Sequence, residues 1–259
     1  MQNVALITGA SSGIGKELAI IHASKNGDLV LVARSQKELD ELKEELESKY
    51  GVKVVNIVKD LSIMGSAKEL YDEVKALDIE VEYLINNAGF GLRGKFHELS
   101  FDRQSQMMNL NMIALTELTH LFLPEMLKRN SGKILNTSST ASFMPGPLQA
   151  IYFATKSYVT FFSNALAEEL HDTNITVTNL MPGATQTKFA KTSGMDKTNL
   201  FEKTVSAYSV AKDGYDAMIK GDIDVVSGLT CMQKLMMRAI PFTPKKVMLK
   251  QIRQMQEVK

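Results

Sequence analysis

The feature that most constrains the fold is the alternation of short apolar runs with longer amphipathic stretches. Six runs rich in β-branched residues are typical of strands covered on both faces. They span Val4–Thr8, Leu29–Ala33, Val52–Val58, Tyr83–Asn86, Lys133–Ser138 and Ile175–Met181. Between them, amphipathic stretches predict helices at Ile14–Lys25, Gln36–Tyr50, Gly65–Leu77, Phe101–Lys128 and Tyr152–His171. Strands alternating with crossover helices predict a doubly wound, parallel α/β sheet of the Rossmann type.

The remaining third of the chain continues this pattern. Phe201–Lys220 is predicted to be a helix and Asp224–Ser227 a short strand, which brings the sheet to about seven strands. We see no internal repeat and no linker long enough to separate a second domain. The 259 residues are therefore predicted to form a single domain over residues 1–259, a size that can bury an ample core.

Composition excludes several classes of function. The net charge of +1 gives no argument for a nucleic-acid partner. The one cysteine excludes an internal disulfide and fits a reducing compartment. No apolar run approaches the ~20 residues of a membrane-spanning helix, and no basic, apolar leader starts the sequence. The expected location is cytoplasmic. The four histidines show no metal-ligand spacing, so no metal is expected.

A glycine-rich loop follows the first strand and leads directly into a helix. Glycines allow a tight turn there and bring backbone N–H groups close to a pyrophosphate, while the helix N-terminus favours negative charge. In the first βαβ unit of a doubly wound chain, this loop predicts dinucleotide binding. The alternative is a turn that only connects strand to helix. The residues predicted to bind the cofactor here are Gly9, Ser11, Ser12, Gly13, Ile14 and Gly15.

The end of the second strand predicts which dinucleotide binds. A site for NAD needs a carboxylate there to hold the ribose 2′-hydroxyl. The sequence instead has Arg34, whose guanidinium can pair with a 2′-phosphate. We therefore predict NADP(H); the alternative is a solvated surface arginine.

A Tyr-x-x-x-Lys spacing places a phenol and an ammonium one helical turn apart. The cation is expected to favour the phenolate and so to lower the pKa of the tyrosine, which makes it a usable acid–base group. The spacing occurs three times, at Tyr71/Lys75, Tyr152/Lys156 and Tyr208/Lys212. Only Tyr152 follows a buried strand that ends beside a serine, Ser139, on the cofactor side of the sheet. We interpret the other two pairs as solvated helix faces.

Taken together, these motifs resemble the short-chain dehydrogenase/reductase family, in its shorter single-domain branch. The resemblance covers about residues 3–190 and includes several further motifs in the expected order. Asn111 resembles the helix asparagine of the catalytic tetrad, and Ser139 precedes Tyr152 by the expected thirteen residues. The further residues that resemble cofactor contacts are Asp60, Asn87, Ala88, Gly89, Pro182, Gly183 and Thr187.

The resemblance implies hydride transfer between NADP(H) and a carbonyl or secondary alcohol. It implies that Tyr152 donates and removes the substrate proton, and that Ser139 orients the substrate oxygen. Lys156 would lower the pKa of the tyrosine and bind the nicotinamide ribose. Asn111 would hold a water that links Lys156 to solvent. Two alternatives remain: a 3-oxoacyl-thioester reductase, and a non-catalytic NADPH-binding regulatory protein.

The substrate is expected to contact a loop over about residues 184–206. Its apolar residues suggest an apolar ligand, although packing of the loop on the core explains them equally well. These residues are Phe189, Met195, Leu200 and Phe201.

Two surfaces suggest partners. The helices Phe101–Lys128 and Tyr152–His171 are apolar on more than one side, which predicts a homodimer or homotetramer built on them. The C-terminal extension, about residues 230–259, carries seven basic residues and one acid. We favour a pair of packing helices there, with methionines beside the substrate loop. The alternative is an interfacial helix that binds anionic lipid.

Overall fold

A parallel sheet is the centre of the computed structural model, which describes residues 1–196, 198 and 201–257. The strands in chain order are β1 Val4–Thr8, β2 Leu29–Ala33, β3 Val54–Val58, β4 Val81–Asn86, β5 Gly132–Thr137, β6 Ile175–Pro182, β7 Thr185–Gln186, β8 Val205–Ser206 and β9 Asp224–Ser227. Seven of them form the main sheet in the order β3-β2-β1-β4-β5-β6-β9, and every adjacent pair is parallel. The predicted fold class is confirmed. The strand order reverses between β1 and β4, which is where ligands bind in such sheets.

Helices cover both faces of the sheet. They are α1 Gly13–Ala23, α2 Gln36–Tyr50, α3 Ser66–Ala76, α4 Phe101–Met108, α5 Leu115–Arg129, α6 Ala150–Glu169, α7 Phe189–Ser193, α8 Ala207–Lys220, α9 Cys231–Ala239 and α10 Lys245–Gln256. A π-helical segment, Asn109–Ala114, joins α4 to α5. None of the described helices is both long and apolar enough to span a membrane.

Two apolar layers hold the helices against the sheet, because alternate residues of a strand face opposite sides. Ala5 and Ile7 of β1 belong to the layer under α1, α2 and α8. Val4, which precedes Ala5, and Leu6, which lies between Ala5 and Ile7, belong to the layer under α3, α5 and α6. Burial on both sides explains why the strands read as continuous apolar runs.

Helix α2 shows how local sequence sets the bounds of an element. The Ser35 side chain accepts a hydrogen bond from the backbone N–H of Glu38 at 3.4 Å, which caps the N-terminus. Leu39, Leu42 and Leu46, spaced three and four apart, form the buried face. Gly51, at φ +68°, ends the helix in the left-handed conformation that favours glycine. This cap leaves Ser35 beside the end of β2, where the cofactor is expected.

One predicted helix begins later than expected. The prediction placed a helix over Phe201–Lys220, but α8 starts at Ala207. Val205–Ser206 instead pairs in parallel with Thr185–Gln186 as a small second sheet. Ser206 then caps α8 by accepting a hydrogen bond from the N–H of Ser209 at 3.1 Å. A two-residue strand pairing with residues twenty positions earlier leaves no periodic signal in the sequence.

Candidate active site

A cavity of about 620 Å³ opens at the carboxyl ends of the strands. It extends from the loop after β1 and the end of β2 to Tyr152 and the C-terminal helices. The predicted site residues that line it are Gly9, Ser11, Ser12, Gly13, Ile14, Arg34, Asp60, Asn87, Ala88, Gly89, Ser139, Tyr152, Lys156, Pro182, Gly183 and Thr187. The predicted residues Gly15 and Asn111 are not among the residues that line the cavity.

The loop after β1 requires glycine for space and for backbone conformation. Gly9 and Gly13 have φ values of +69° and +56°. A Cβ on Gly15 would lie 2.3 Å from the carbonyl oxygen of Gly9, so helix α1 could not pack this close to the strand. Ser12, the N-cap of α1, makes no side-chain capping bond to the described residues, and the first turn holds no acid. The backbone N–H groups of this turn are suited to a phosphate.

Asn87 stabilises this loop from the neighbouring strand. Its side-chain amide donates to the carbonyl oxygens of Thr8 and Gly9 at 3.1 and 3.4 Å. The backbone N–H groups of Asn87 and Ala88 both donate to the Thr8 hydroxyl at 3.0 Å. The ends of β1 and β4 are thus tied together at the point where the strand order reverses. Thr8, a buried threonine at the end of β1, was not among the predicted site residues.

The segment after β6 lies over the glycine loop. A Cβ on Gly13 would meet the Thr187 side chain at 2.9 Å. The Lys188 ammonium pairs with Glu38 in the first turn of α2. That hydrogen bond and charge hold the pKa of Glu38 below its ordinary value. The predicted contact segment, Pro182 to Thr187, therefore lies directly beside the cofactor end of the cavity.

Arg34 lies beside Asp60, and the two residues are contributed by neighbouring strand ends. The Arg34 Nη1 and Asp60 Oδ2 atoms are 3.9 Å apart, and the Arg34 side chain is 72% exposed. Burial raises the pKa of Asp60, but hydrogen bonds from Ser62 and the charges of Arg34 and Arg103 outweigh it, so the pKa is lowered. Arg103, which sequence analysis missed, also lines the cavity and lies 4.9 Å from the ring of Phe90.

The candidate catalytic group is contributed by β5 and α6. Ser139 follows β5, and its hydroxyl accepts a hydrogen bond from the N–H of Ala141 at 3.1 Å. Tyr152 and Lys156 lie one turn apart on α6, with the Lys156 ammonium 5.9 Å from the tyrosine ring. The neighbouring Ser138 has a structural contact instead, since its hydroxyl donates to the carbonyl of Lys156 at 2.8 Å. The structure brings the three predicted residues together.

Burial, not the cation, dominates the ionisation of the pair. It raises the pKa of Tyr152 to about 12, against a smaller opposite effect of the hydrogen bond with Ser139. It lowers the pKa of Lys156 to about 8. The expected lowering of the tyrosine pKa is therefore absent from this structure. The physical reason is that both side chains are buried, and burial disfavours the charged form of each. The Lys156 ammonium donates a hydrogen bond to the carbonyl of Thr137 at 2.7 Å.

Asn111 lies in the π-helical segment, a feature frequent at functional sites. Its side chain donates to the carbonyl of Phe90 and to the Thr155 hydroxyl at 3.0 and 3.1 Å. Its Oδ1 accepts from the N–H of Phe90 at 3.1 Å. A Cβ on Gly89 would lie 3.1 Å from Oδ1 and 3.5 Å from the Lys156 ammonium. A side chain at this position would be in close contact with Oδ1 and would fill the space between these two polar groups.

The far end of the cavity is apolar. The ring of Phe189 lies 5.4 Å from that of Tyr152 and 6.4 Å from that of Phe201. Met195 is buried and also lines the cavity, whereas the predicted Leu200 lies outside the described residues. The rest of this wall is contributed by residues far apart in the chain: Met144, Gln149, Phe153, Met237, Ile252, Met255 and Gln256. The C-terminal methionines were expected beside the substrate loop, whereas Gln149, Phe153 and Gln256 were not predicted.

The other two Tyr-x-x-x-Lys pairs lie away from the cavity. Tyr208 is exposed, as expected of a solvated helix face. Tyr71 is not: its hydroxyl donates to Glu125 on α5 at 2.8 Å, and Lys75 binds the same carboxylate at 3.0 Å. The interpretation of that pair as a solvated face was wrong for Tyr71, which is partly buried; together with the exposed Lys75 it links α3 to α5.

Comparison with known proteins gives the family of the chain. The sequence model of the short chain dehydrogenase family matches residues 3–198 of the chain. The chain therefore belongs to the short-chain dehydrogenase family, whose members are oxidoreductases.

Three similar proteins illustrate the range of the family. The chain is 35% identical to a very-long-chain 3-oxoacyl-CoA reductase of Macaca fascicularis, over 72% of this chain and 61% of that protein. It thus spans about 61% of the length of that relative. It superposes with a TM-score of 0.84 on a Sphingobium yanoikuyae short-chain dehydrogenase in complex with NADPH, at 29% identity, with 99% and 98% of the two chains covered. The TM-score is 0.79 for a bulky-bulky ketone specific alcohol dehydrogenase from Comamonas testosteroni, at 27% identity and 99% and 97% coverage.

Proposed function

We propose that the chain is an NADP(H)-dependent oxidoreductase that interconverts a ketone and a secondary alcohol on an apolar substrate. One observation carries the proposal: a single cavity has the glycine loop and Arg34 at one end, and Ser139, Tyr152 and Lys156 at the other. The NADPH complex of the Sphingobium relative supports the choice of cofactor. The apolar lining near Phe189 supports the substrate class.

The chemistry follows from the protonation states. Because the pKa of Tyr152 is about 12, its phenol carries a proton at neutral pH and can donate it to a carbonyl oxygen. Ser139 donates a second hydrogen bond to that oxygen and stabilises the charge that develops there. The ammonium of Lys156, with a pKa of about 8, is mainly charged at pH 7 and stabilises the phenolate left behind. When bound, the nicotinamide group supplies the hydride for the carbonyl carbon.

Several residues would hold the cofactor. The α1 N-terminus after Ser12 would bind the pyrophosphate, and Arg34 the 2′-phosphate. Asp60 would contact the adenine, and Lys156 the nicotinamide ribose. The segment from Pro182 to Thr187 would contact the carboxamide. Asn111 would hold a water in the space beside Gly89 and so connect Lys156 to solvent.

A 3-oxoacyl thioester is the second candidate substrate. The observation that favours it is the similarity to the very-long-chain 3-oxoacyl-CoA reductase over residues that include the whole candidate catalytic group. Such a substrate combines a ketone with an apolar chain, which fits the apolar lining near Phe189. Because the chain spans only part of that relative, the thioester stays a candidate beside simple ketones.

A substrate panel tests the proposal. Purified protein is incubated with NADPH and each of several apolar ketones and 3-oxoacyl thioesters, and NADPH oxidation and the product alcohol are both measured. We expect an enzyme-dependent, stoichiometric conversion of at least one ketone to its alcohol. NADPH binding without oxidation across the whole panel would contradict the proposal and favour the non-catalytic NADPH-binding alternative.

We further propose that the protein is a homodimer or homotetramer that assembles through α5 and α6. Exposed aromatic side chains on α6 support this: Phe161 is 72% exposed and Tyr158 is 39% exposed. The Tyr158 hydroxyl lies 2.9 Å from that of Thr116 on α5, so the two helices present one continuous surface. A second copy across a two-fold axis would cover it.

We propose a cytoplasmic location, where a reducing environment suits a chain with one cysteine. In this proposal α9 and α10 are packing elements, as the burial of Ile252 supports. The alternative, attachment to anionic lipid, draws on the exposed side chains of Leu235 and Phe242 beside basic residues. Sedimentation with anionic vesicles at low salt separates the two: we expect the protein to stay in the supernatant.

A further inference from the structure

A polar side chain without a partner lies at the apolar end of the cavity. Gln256, the last residue of α10, lines the cavity and is 2% exposed. Neither its amide oxygen nor its amide nitrogen has a hydrogen-bonding partner among the described residues. A buried polar group left unpaired destabilises a fold, so such groups are few in natural structures, and a bound molecule or water commonly satisfies them.

The position of Gln256 is fixed by contacts on both sides of it. The Arg93 guanidinium donates to the backbone oxygen of Gln256 at 3.2 Å and to that of Gly194 at 3.0 Å. One turn earlier, Ile252 is buried in the same apolar cluster as Tyr152. These contacts hold the C-terminal end of α10 beside the candidate catalytic group. The unpaired amide is therefore a defined feature of the cavity wall.

A second side-chain amide at this end of the cavity also has an unpaired nitrogen. Gln149 precedes α6, lines the cavity and is 4% exposed. Its Nε2 has no partner among the described residues either. The apolar cluster at this end of the cavity includes Phe153 and Met144, which offer no hydrogen bond, and Tyr152, whose hydroxyl bonds with Ser139. The apolar end of the cavity thus contains polar groups that only a bound molecule or water could satisfy.

We propose that the substrate is an apolar ketone that carries a second carbonyl or hydroxyl oxygen, and that Gln256 binds this second oxygen. The proposal rests on the proposed function and specifies its substrate class. An amide can donate to a carbonyl oxygen and can either donate to or accept from a hydroxyl. A site with buried polar groups discriminates against the analogue that leaves them unpaired. Gln256, outside the segment matched by the family, then determines specificity in this chain.

Matched pairs of ketones test the proposal. Both members of a pair have the same length; one has only the reacting carbonyl, and the other has a second carbonyl or hydroxyl at a varied distance from it. With wild-type protein and NADPH, kcat/KM is expected to favour the second member by about tenfold or more at one spacing. Gln256→Met keeps the volume but loses the amide, so the ratio should fall to about one, mainly through KM. Gln254→Met, an exposed change on the same helix, should keep the wild-type ratio.

The outcomes separate this inference from the proposed function. If wild-type protein reduces neither member of any pair, the proposed function fails and the inference with it. If both members are reduced without preference, or if Gln256→Met keeps the preference, the inference alone is overturned. Because an unpaired amide is removed, the melting temperature of Gln256→Met should be unchanged or higher. A lower melting temperature with both kcat/KM values reduced in proportion would show a structural role and overturn the inference.

Discussion

At the end of β2, Arg34 is the residue that determines the proposed choice of cofactor. Its guanidinium is mainly exposed and is 3.9 Å from its described partner, Asp60, so it remains free to meet a phosphate. We expect Arg34→Ala to weaken NADPH binding by about 1.5–3 kcal/mol, the value of a charged hydrogen bond. That is roughly tenfold to a hundredfold in Kd, and NADH binding should hardly change.

Fluorescence titration with both cofactors measures this effect. Lys37→Ala is the matched control, because Lys37 is a basic residue of α2 whose side chain is 85% exposed and pairs with Glu41. It should leave both affinities unchanged. Unchanged NADPH affinity in Arg34→Ala would mean that the 2′-phosphate is bound elsewhere, with Ser11, Ser35 and Arg103 as the next residues to test.

His22, which lies away from the cavity, makes the stability of the fold depend on pH. Its Nε2 lies 2.7 Å from the carbonyl oxygen of Asn3, and its Nδ1 lies 3.0 Å from the Tyr215 hydroxyl. A carbonyl only accepts, so Nε2 carries the hydrogen and Nδ1 accepts from the tyrosine. Burial lowers the pKa of His22 below its ordinary value of 6.5. The folded protein therefore binds this proton less readily than the unfolded chain does.

The sign of the pH effect follows from linkage. The contribution of His22 to the free energy of unfolding is fully present above pH 6.5. It is lost as the pH falls below 6.5 toward the pKa of His22 in the folded protein, because the unfolded state then binds more protons. Urea unfolding at pH 7.5 and 5.5 should show lower stability at pH 5.5. His22→Gln should reduce this difference, whereas His97→Gln, at an exposed histidine, should not. An equal pH effect in wild type and His22→Gln would contradict the assignment.

Sequence could predict most of the site at the level of residue identity. The order of Ser139, Tyr152 and Lys156 after a buried strand distinguished one Tyr-x-x-x-Lys pair from two others. The ionisation of Tyr152 could not be predicted, because it depends on how far burial outweighs a nearby charge. The position of Gln256 in the cavity wall also could not be predicted, because Gln256 lies more than a hundred positions after Tyr152 in the sequence.

Among the elements, α10 was predicted to be a packing helix beside the substrate loop, and the structure places it in the cavity wall. It provides Ile252, Met255 and Gln256 to the cavity wall, although it lies outside the family segment. We expect deletion of residues 245–259 to raise the KM for apolar ketones by about tenfold or more, the value of one buried aliphatic side chain. NADPH affinity should stay within a few-fold, because the glycine loop and Arg34 are contributed by β1 and β2.

Steady-state kinetics and NADPH titration of the deletion variant check this expectation. Val247→Ser, an exposed change on α10, should behave as wild type. An unchanged ketone KM in the deletion variant would show that α10 does not bind substrate. A large loss of NADPH affinity would show instead that the helix supports the cofactor end.

The strands could be predicted better than the connections between them. β1 and β2 begin and end at the predicted residues because apolar strands buried on both faces leave a clear signal. β9 also has the predicted bounds, although only its last residue is buried. Helix α2 was equally clear, with a cap at each end. The start of α8 was missed because the small sheet of β7 and β8 depends on a contact between distant segments.

For the whole molecule, self-association is the property that the exposed surface of α6 predicts. A charged residue at the centre of that surface should oppose dimer formation, because burying it unpaired is costly. We expect Phe161→Glu to shift the protein from a dimer or tetramer toward a monomer in light scattering at micromolar concentration. Ile219→Glu, an exposed change on α8 across the sheet, should keep the wild-type mass. Wild-type protein that is already monomeric would contradict the proposal.

The organisation of residues 1–259 as a single domain stays a prediction.

The central claim is that Tyr152 transfers the substrate proton in a site formed together with NADP(H). Its most direct test is the comparison of kcat with NADPH affinity in Tyr152→Phe, which removes only the hydroxyl. Because the phenol acts mainly in the transition state, we predict that ketone reduction falls below detection while NADPH affinity stays within a few-fold of wild type. Lys156→Ala should lower both quantities, since its ammonium would also bind the ribose. Appreciable turnover by Tyr152→Phe would contradict the mechanism.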